Sequence, residues 1–366
     1  MENSFEYSFP AIRGVQAKRE YYVSMCPLRL IPRLFSFDDE DLKPELRAQR
    51  NLNKSRIPEM SRYIVENNNS YVFSAITASV DSDVRFEPVA PKSDNNRVGV
   101  LHIPMTARFI INDGQHRRAA IENALQERPE LGDETIAVVF FLDKGLERCQ
   151  QMFADLNRYA IRPARSLNVL YDHRDDKAQL AKLIVFNSPI LSELVEMEKS
   201  TLSQRSRKLF TLSAIYTGTS ALMADNGKEP LEVQAKIASN FWKEVIKQFP
   251  EWKYVRDSKM TAGDVRTDFI HSHGIALHAI GNVGKVLLRD RENDWKSYIK
   301  KLKTINWSKG NSKLWEGRAM IGGRVSKAVH NVTLTTNAIK KHLDLPLSPE
   351  EQRVEDAYLR GDNGGE

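Results

Sequence analysis

Hydrophobic positions recur along this chain with two different periods, and the change from one to the other divides it. After an irregular start, residues 23–37 are apolar but broken by Pro27 and Pro32, which suits a short edge strand or loop at a sheet margin. Residues 47–66 place Leu52, Ile57, Met60, Tyr63 and Ile64 at helical spacing, with Ser55 as a cap, and predict a helix from about Pro58. Residues 71–80 are β-branched and aromatic and predict a strand, followed by a polar surface loop over 81–97. Two more strands are expected over 98–104 and 107–111, a helix over 117–127, a buried central strand over 135–142 and a helix over 146–157. Alternation of this kind predicts an α/β domain.

Beyond Ser166 the period is helical almost throughout, over residues 167–171, 180–186, 209–223, 235–249, 270–288, 297–302 and 325–343. The expected organisation is therefore an α/β domain over about 10–165 and a mostly α-helical domain over 166–343. No internal repeat and no low-complexity linker separates them.

The chain has 366 residues, 41% of them hydrophobic and 28% charged, with a mean hydropathy of −0.47. That composition fits a protein able to bury a core and excludes a disordered one. No apolar run approaches the ~20 residues of a membrane span, and residues 1–10 lack a basic-then-apolar leader, so a cytoplasmic location without membrane association is expected. Two cysteines, Cys26 and Cys149, stand far apart with no CxxC partner, which leaves neither a disulfide framework nor a zinc finger.

Charge changes the picture. The net charge is +6, and from Trp295 to Lys341 eleven basic residues face one acid, Glu316. Trp295, Trp307 and Trp315 are interleaved with these cations, and indoles beside lysines can stack on bases. The segment therefore reads as a polyanion-binding surface, against the plainer alternative of solvated helix faces. Residues 344–366 carry seven acids against Arg353 and Arg360 and end in Gly-Asp-Asn-Gly-Gly-Glu, which reads as a flexible acidic tail.

The most specific segment is Phe109-Ile110-Ile111-Asn112-Asp113-Gly114-Gln115-His116-Arg117-Arg118. A strand ends in a glycine-bearing turn and a helix begins near Gln115. Its first N–H groups, with His116 and Arg117, converge on one spot, a geometry suited to phosphate. Gly114 permits close backbone approach. Asp113 could cap the helix or coordinate a divalent metal. An ordinary capped turn is the competing reading.

The run Asp113-Gly114-Gln115-His116-Arg117 resembles the signature of the DGQHR-domain proteins, which share the ParB/sulfiredoxin-like fold. The similarity extends to residues 49–57 before it and 152–157 after it. Further on, residues 206–212, 271–277 and 331–335 resemble the DndB branch, from DNA phosphorothioation gene clusters, so that the likeness covers most of the chain up to about residue 343. The resemblance implies a ParB/sulfiredoxin-like α/β domain and a negative transcriptional regulator of the DNA-modification genes. It also implies a phosphate- or nucleotide-binding corner of Asp113, Gly114, Gln115, His116 and Arg117, with Asn157, Arg50 and Arg56 nearby. Sulfiredoxins carry a reactive Cys where this chain has Gln115, so sulfinic acid reduction is not expected. ParB proteins carry an acid there, and its loss puts metal binding and hydrolysis in doubt.

Other constellations are weaker. His271 and His273 with Asp264 and Asp268 lack a completing ligand, and His-x-His on a helix splays the rings apart, so helix packing is the better reading and no metal site is expected. Asp172-His173-Arg174-Asp175-Asp176 reads as a solvated helix face and not as a nuclease cluster. Neither a Gly-x-Ser-x-Gly elbow nor a P-loop or Rossmann motif occurs.

The sequence thus predicts a DNA-binding repressor. Phosphate contacts are expected from Lys300, Lys301, Lys303, Lys309, Lys313, Arg318, Arg324 and Lys327, with Arg205, Arg207 and Lys208 as a second group. Expected partners are double-stranded promoter DNA, other phosphorothioation proteins and a second copy of the chain. No cofactor is indicated with certainty by the sequence. The alternative is an NTP-hydrolysing switch that takes a nucleoside triphosphate with magnesium at the corner, through Asp113, His116 and Arg117.

Overall fold

A computed structural model describes residues 5–35, 54–90, 96–142, 148, 151–152, 154–156 and 163–361. By contacts the chain divides into residues 1–161 and 162–366.

The first unit is built on a seven-stranded mixed sheet. Its strands are β1 (Glu6–Gln16), β2 (Arg19–Pro27), β3 (Ile76–Val80), β4 (Arg85–Pro88), β5 (Val98–Pro104), β6 (Phe109–Asp113) and β7 (Thr135–Phe141), in the order β4-β5-β1-β2-β7-β3-β6. Among the described strands of this sheet, β3 and β7 pair in parallel and the other neighbours pair antiparallel. The segment expected to be irregular holds the longest strand, β1, which turns into β2 through Ala17 and Lys18 at positive φ. That two-residue turn matches the twist of a hairpin even without glycine. β2 is also not the edge strand expected from its prolines, since it lies between β1 and β7. Pro27 closes the strand, where a missing donor costs little. β4 arises inside the stretch read as a loop and pairs with β5 at the sheet margin.

β7 runs as expected in the interior of the sheet, and it alternates: Ile136, Val138 and Phe140 are buried while Ala137, Val139 and Phe141 are half-buried and Thr135 is exposed. These side chains meet Phe9, Ile76, Ala78, Val80, Leu101, Ile103 and Ile111. Two helices join this core, α1 (Ile57–Glu66) through Ile64 and α2 (Gln115–Glu127) through Ala120, Ile121 and Ala124. At about 1.5–3 kcal/mol for each large apolar side chain, burial is the main force holding the unit together. β6 is the other edge strand, and it delivers the chain into α2.

The second unit is helical, with α3 (Arg165–Tyr171), α4 (Asp176–Phe186), α5 (Leu212–Leu222), α6 (Leu231–Ile246), α7 (Pro250–Arg256), α8 (Ala262–Asp268), α9 (Gly274–Asp290), α10 (Trp295–Lys300), α11 (Val329–His342) and α12 (Pro349–Leu359) as its main elements. The closest crossing is α5 on α9. A Cβ on Gly281 would collide with the Gly218 carbonyl, and one on Gly218 would lie 2.8 Å from the Leu277 carbonyl oxygen. Glycine at both positions lets the two backbones touch. Trp242, Trp252, Phe241 and Phe249 fill the core around them.

The acidic end departs from the expectation of a frayed tail. Ser348 and Glu351 form a reciprocal capping box, Pro349 sits in the first turn, and α12 follows. Glu355 on its inner face is fully buried. The helix presents Glu355 inward with its charge paired, and half-buried Glu351 pairs with Lys340 Nζ at 2.6 Å, so a strongly negative composition is compatible with an ordered helix.

Candidate functional site

The glycine corner begins at the end of β6. Asn112 is buried, and its amide donates to Ser79 Oγ at 2.7 Å and to Met152 Sδ at 3.0 Å. Gly114 then turns the chain at φ +110°, a conformation side chains rarely adopt, and a Cβ there would lie 3.0 Å from Ile76 Cγ1. Being glycine, it gives α2 no side-chain cap. The first N–H groups of α2 therefore have no intrahelical acceptor.

Around this start two side-chain donors are also unpartnered: Gln115 Nε2, on a residue only 6% exposed, and Arg117 Nε. The other end of Arg117 is committed, since its Nη2 donates to Asp113 Oδ2 at 2.8 Å and to the Ala75 carbonyl at 3.0 Å. Asp113 thus pairs with Arg117 rather than capping the helix. Backbone donors, the Gln115 amide and Arg117 Nε make a set that fits a phosphoryl oxygen. For magnesium the corner offers one carboxylate, already shared with Arg117, which is a poor hard-cation site.

His116 is half-buried at the same helix start, and Arg56 is exposed in the turn that precedes α1. Arg50 and Asn157 lie outside the described residues. The neighbouring Arg118, which the sequence reading passed over, is buried and reaches the Pro32 and Phe35 carbonyls and Glu122. It ties α2 to the segment after β2, and nothing in its spacing distinguishes it from Arg117.

The predicted DNA-contacting residues divide. Lys300, Lys301, Lys303, Lys313, Arg324, Lys327, Arg205 and Arg207 are exposed, and Lys208 is half-buried. Lys301 is shared with Asp344 at 3.2 Å. Arg318 does not belong to the exposed set: it is buried, with its guanidinium bonded to Glu355 at 2.9 and 2.6 Å and to the Leu334 carbonyl at 3.1 Å. The tryptophans also turn inward. Trp307 and Trp315 are buried and stacked on each other, with ring centres 5.2 Å apart, so neither can stack on a base. Trp295 packs against Phe241, with Lys296 Nζ over its ring at 5.6 Å.

Sequence reasoning missed Arg266, which connects the two basic groups. Its guanidinium donates to the carbonyls of Ser203, Gln204, Ser206 and Lys208, and its own carbonyl accepts Lys309 Nζ at 2.6 Å. Burial lowers the pKa of both Arg266 and Lys309. The loop carrying Arg205, Arg207 and Lys208 is thereby held beside the segment that carries Lys309. No sequence signal marks Arg266, because its partners are main-chain carbonyls some 60 residues away.

The histidines are packed as expected, though in a 3-10 turn and helix cap rather than inside a helix. His271 Nδ1 accepts from Trp252 Nε1 at 3.0 Å, and burial pushes its pKa down to about 3. His273 Nε2 faces the Arg266 carbonyl at 2.8 Å, and burial, with Lys309 nearby, pushes it down to about 4. Both rings are therefore neutral at pH 7. Among the described residues no group of three His, Cys, Asp or Glu side chains is placed to hold a metal. Asp172 and Asp175 cap turns through Oδ1, the second by accepting from Lys177 N at the start of α4. No described helix is long and apolar enough to cross a membrane.

The chain joins an α/β unit, whose glycine corner leaves Gln115 Nε2 and Arg117 Nε unpartnered, to a helical unit that carries exposed lysines and arginines. The chain belongs to the DndB family of DNA-sulfur modification-associated proteins, whose family model matches residues 9–346. No curated protein and no solved structure matches it.

Proposed function

We propose that this protein is a DNA-binding negative regulator of DNA phosphorothioate modification genes, which grips promoter DNA through the basic face of its helical unit. The observation that carries this reading is the clasp made by Arg266, which joins two basic segments separated in sequence into one support. Exposed Lys300, Lys303, Lys313, Arg324, Lys327, Arg205 and Arg207 then supply sequence-independent phosphate contacts. Membership of a family associated with DNA sulfur modification supports DNA as the polyanion. Repression follows from steric exclusion of polymerase, and a homo-oligomer on two half-sites would raise specificity without new contacts.

Fluorescence anisotropy of the full chain against its own upstream DNA and a scrambled duplex, at two salt concentrations, tests this reading. Tighter, salt-sensitive binding to the promoter is expected. Equal and weak binding to both duplexes would overturn it.

A second reading rests on the unpartnered Gln115 Nε2 and Arg117 Nε at the open start of α2. These donors suit the phosphates of a nucleotide that switches the DNA-bound state, as in a ParB-like protein. Arg117→Ala would abolish that nucleotide binding and leave DNA affinity at fixed salt unchanged.

A further inference from the structure

The helical unit contains a half-open cavity of about 470 Å³ whose lining includes Arg165, Lys327, His278 and Asn282 beside the apolar Ile275, Val329 and Val332. No aspartate or glutamate is among its lining residues. Arg165 and Lys327 make no ion pair with a described residue. Two exposed cations that line one half-open cavity with no carboxylate among its lining residues make an anion the complementary occupant.

The backbone adds to the same charge. The cavity wall includes the first residues of α5, α9 and α11, helices of 11, 17 and 14 residues. α9 and α11 start without a side-chain cap, so their first N–H groups have no intrahelical acceptor. Gly274 opens α9 at the cavity, and a Cβ placed there would come within 3.9 Å of Lys327 Nζ. Backbone and ammonium donors thus lie close together. His278 is held below its ordinary pKa by burial and by Arg165, which leaves a neutral imidazole among the lining groups.

Size decides the class of anion. The volume lies within the ~300–1,000 Å³ of small-molecule sites and exceeds what a bare phosphate occupies. Beside the cations stand aliphatic side chains and the Asn282 amide, which suit a flat heterocycle with hydrogen-bonding edges. We propose that this cavity binds a phosphorylated nucleoside, with its phosphate between Arg165, Lys327 and the starts of α9 and α11, and its base against Ile275, Val329 and Val332. Its lining residues all belong to the helical unit, none of them to the Gly114 corner, and Lys327 is shared with the basic face proposed to meet DNA.

Calorimetric titration of the full chain with ATP, GTP, CTP, the corresponding monophosphates, adenosine and inorganic phosphate tests it. At least one nucleotide is expected to bind, and Arg165→Gln with Lys327→Gln to weaken it tenfold or more, because two charge-assisted contacts are lost. The melting temperature without ligand should not change in that variant, since both side chains are exposed. Arg117→Ala should bind the nucleotide like the wild type. Absence of binding by every nucleotide at millimolar concentration would overturn the proposal, as would binding that survives the double substitution but disappears in Arg117→Ala. Inorganic phosphate matching the best nucleotide in affinity would overturn the nucleoside part and leave a phosphate-ion site.

Discussion

Arg318 and Glu355 form a two-bonded ion pair inside the helical unit, at 2.9 and 2.6 Å, where the carboxylate is fully buried. Lys341 and Asn337 also donate to Glu355, and Arg318 packs under the Tyr358 ring. Burial alone would raise the Glu355 pKa, but these donors override it and hold it at about 2. A cation that sequence places on a DNA surface thus anchors α12 to α11.

Removing one partner leaves the other charged and buried, which costs about 3–5 kcal/mol. Glu355→Ala is therefore expected to lower denaturant stability by that amount. Truncation after residue 347 should do at least as much. A truncated chain that melts like the full one would restore the view of residues 344–366 as a loose tail.

Acid should destabilise the protein in two stages. His271 and His273 have folded pKa values of about 3 and 4, below the 6.5 of an unfolded histidine. Between these values the unfolded state binds more protons, so stability is complete above pH 6.5 and falls as pH drops toward 4, by up to about 1.4 kcal/mol per pH unit for each ring. Glu355 follows, its contribution being lost as pH falls from 4.5 toward 2. Urea midpoints measured from pH 7 to pH 4 check the first stage. His271→Phe should flatten the slope, and an unchanged slope would be inconsistent with a neutral buried His271.

Gly114→Ala should cost roughly 1–3 kcal/mol, because φ +110° is strained for any side chain. Chemical denaturation gives the number. A neutral outcome would mean that the corner relaxes to a different turn.

Salt dependence reports on the basic face. Each phosphate contact contributes a slope of about −0.9 in log affinity against log salt. Arg205→Gln with Arg207→Gln is expected to reduce the slope by about 2 without loss of promoter preference. Arg266→Ala removes no exposed charge, yet it should weaken DNA binding by releasing residues 203–208, and hydrogen exchange should rise there. Unchanged exchange in that loop would show that the clasp is not what holds it.

Periodicity carried much of the architecture. The continuous apolar run of β7, the spacing in α1 and the long apolar faces of α5, α6 and α9 were legible because each is a local pattern, whereas the alternation of burial along β7 was not. β1 escaped notice because its buried positions are only Phe9 and Ala11, too few to stand out against polar neighbours. The corner was visible as a motif, and the local rules for a strand, a glycine and a helix start suffice to explain its shape.

The sequence by itself determined the two-part organisation, the glycine corner and the excess of cations. Tertiary structure decided which cations meet water. Lys313 and Arg324 are exposed while Arg318 between them is buried, because an acid 37 residues later compensates it in the core. Trp307 and Trp315 were equally free to stack on bases or on each other until packing chose the second. Burial and charge pairing depend on partners remote in sequence, and no local pattern encodes a remote partner.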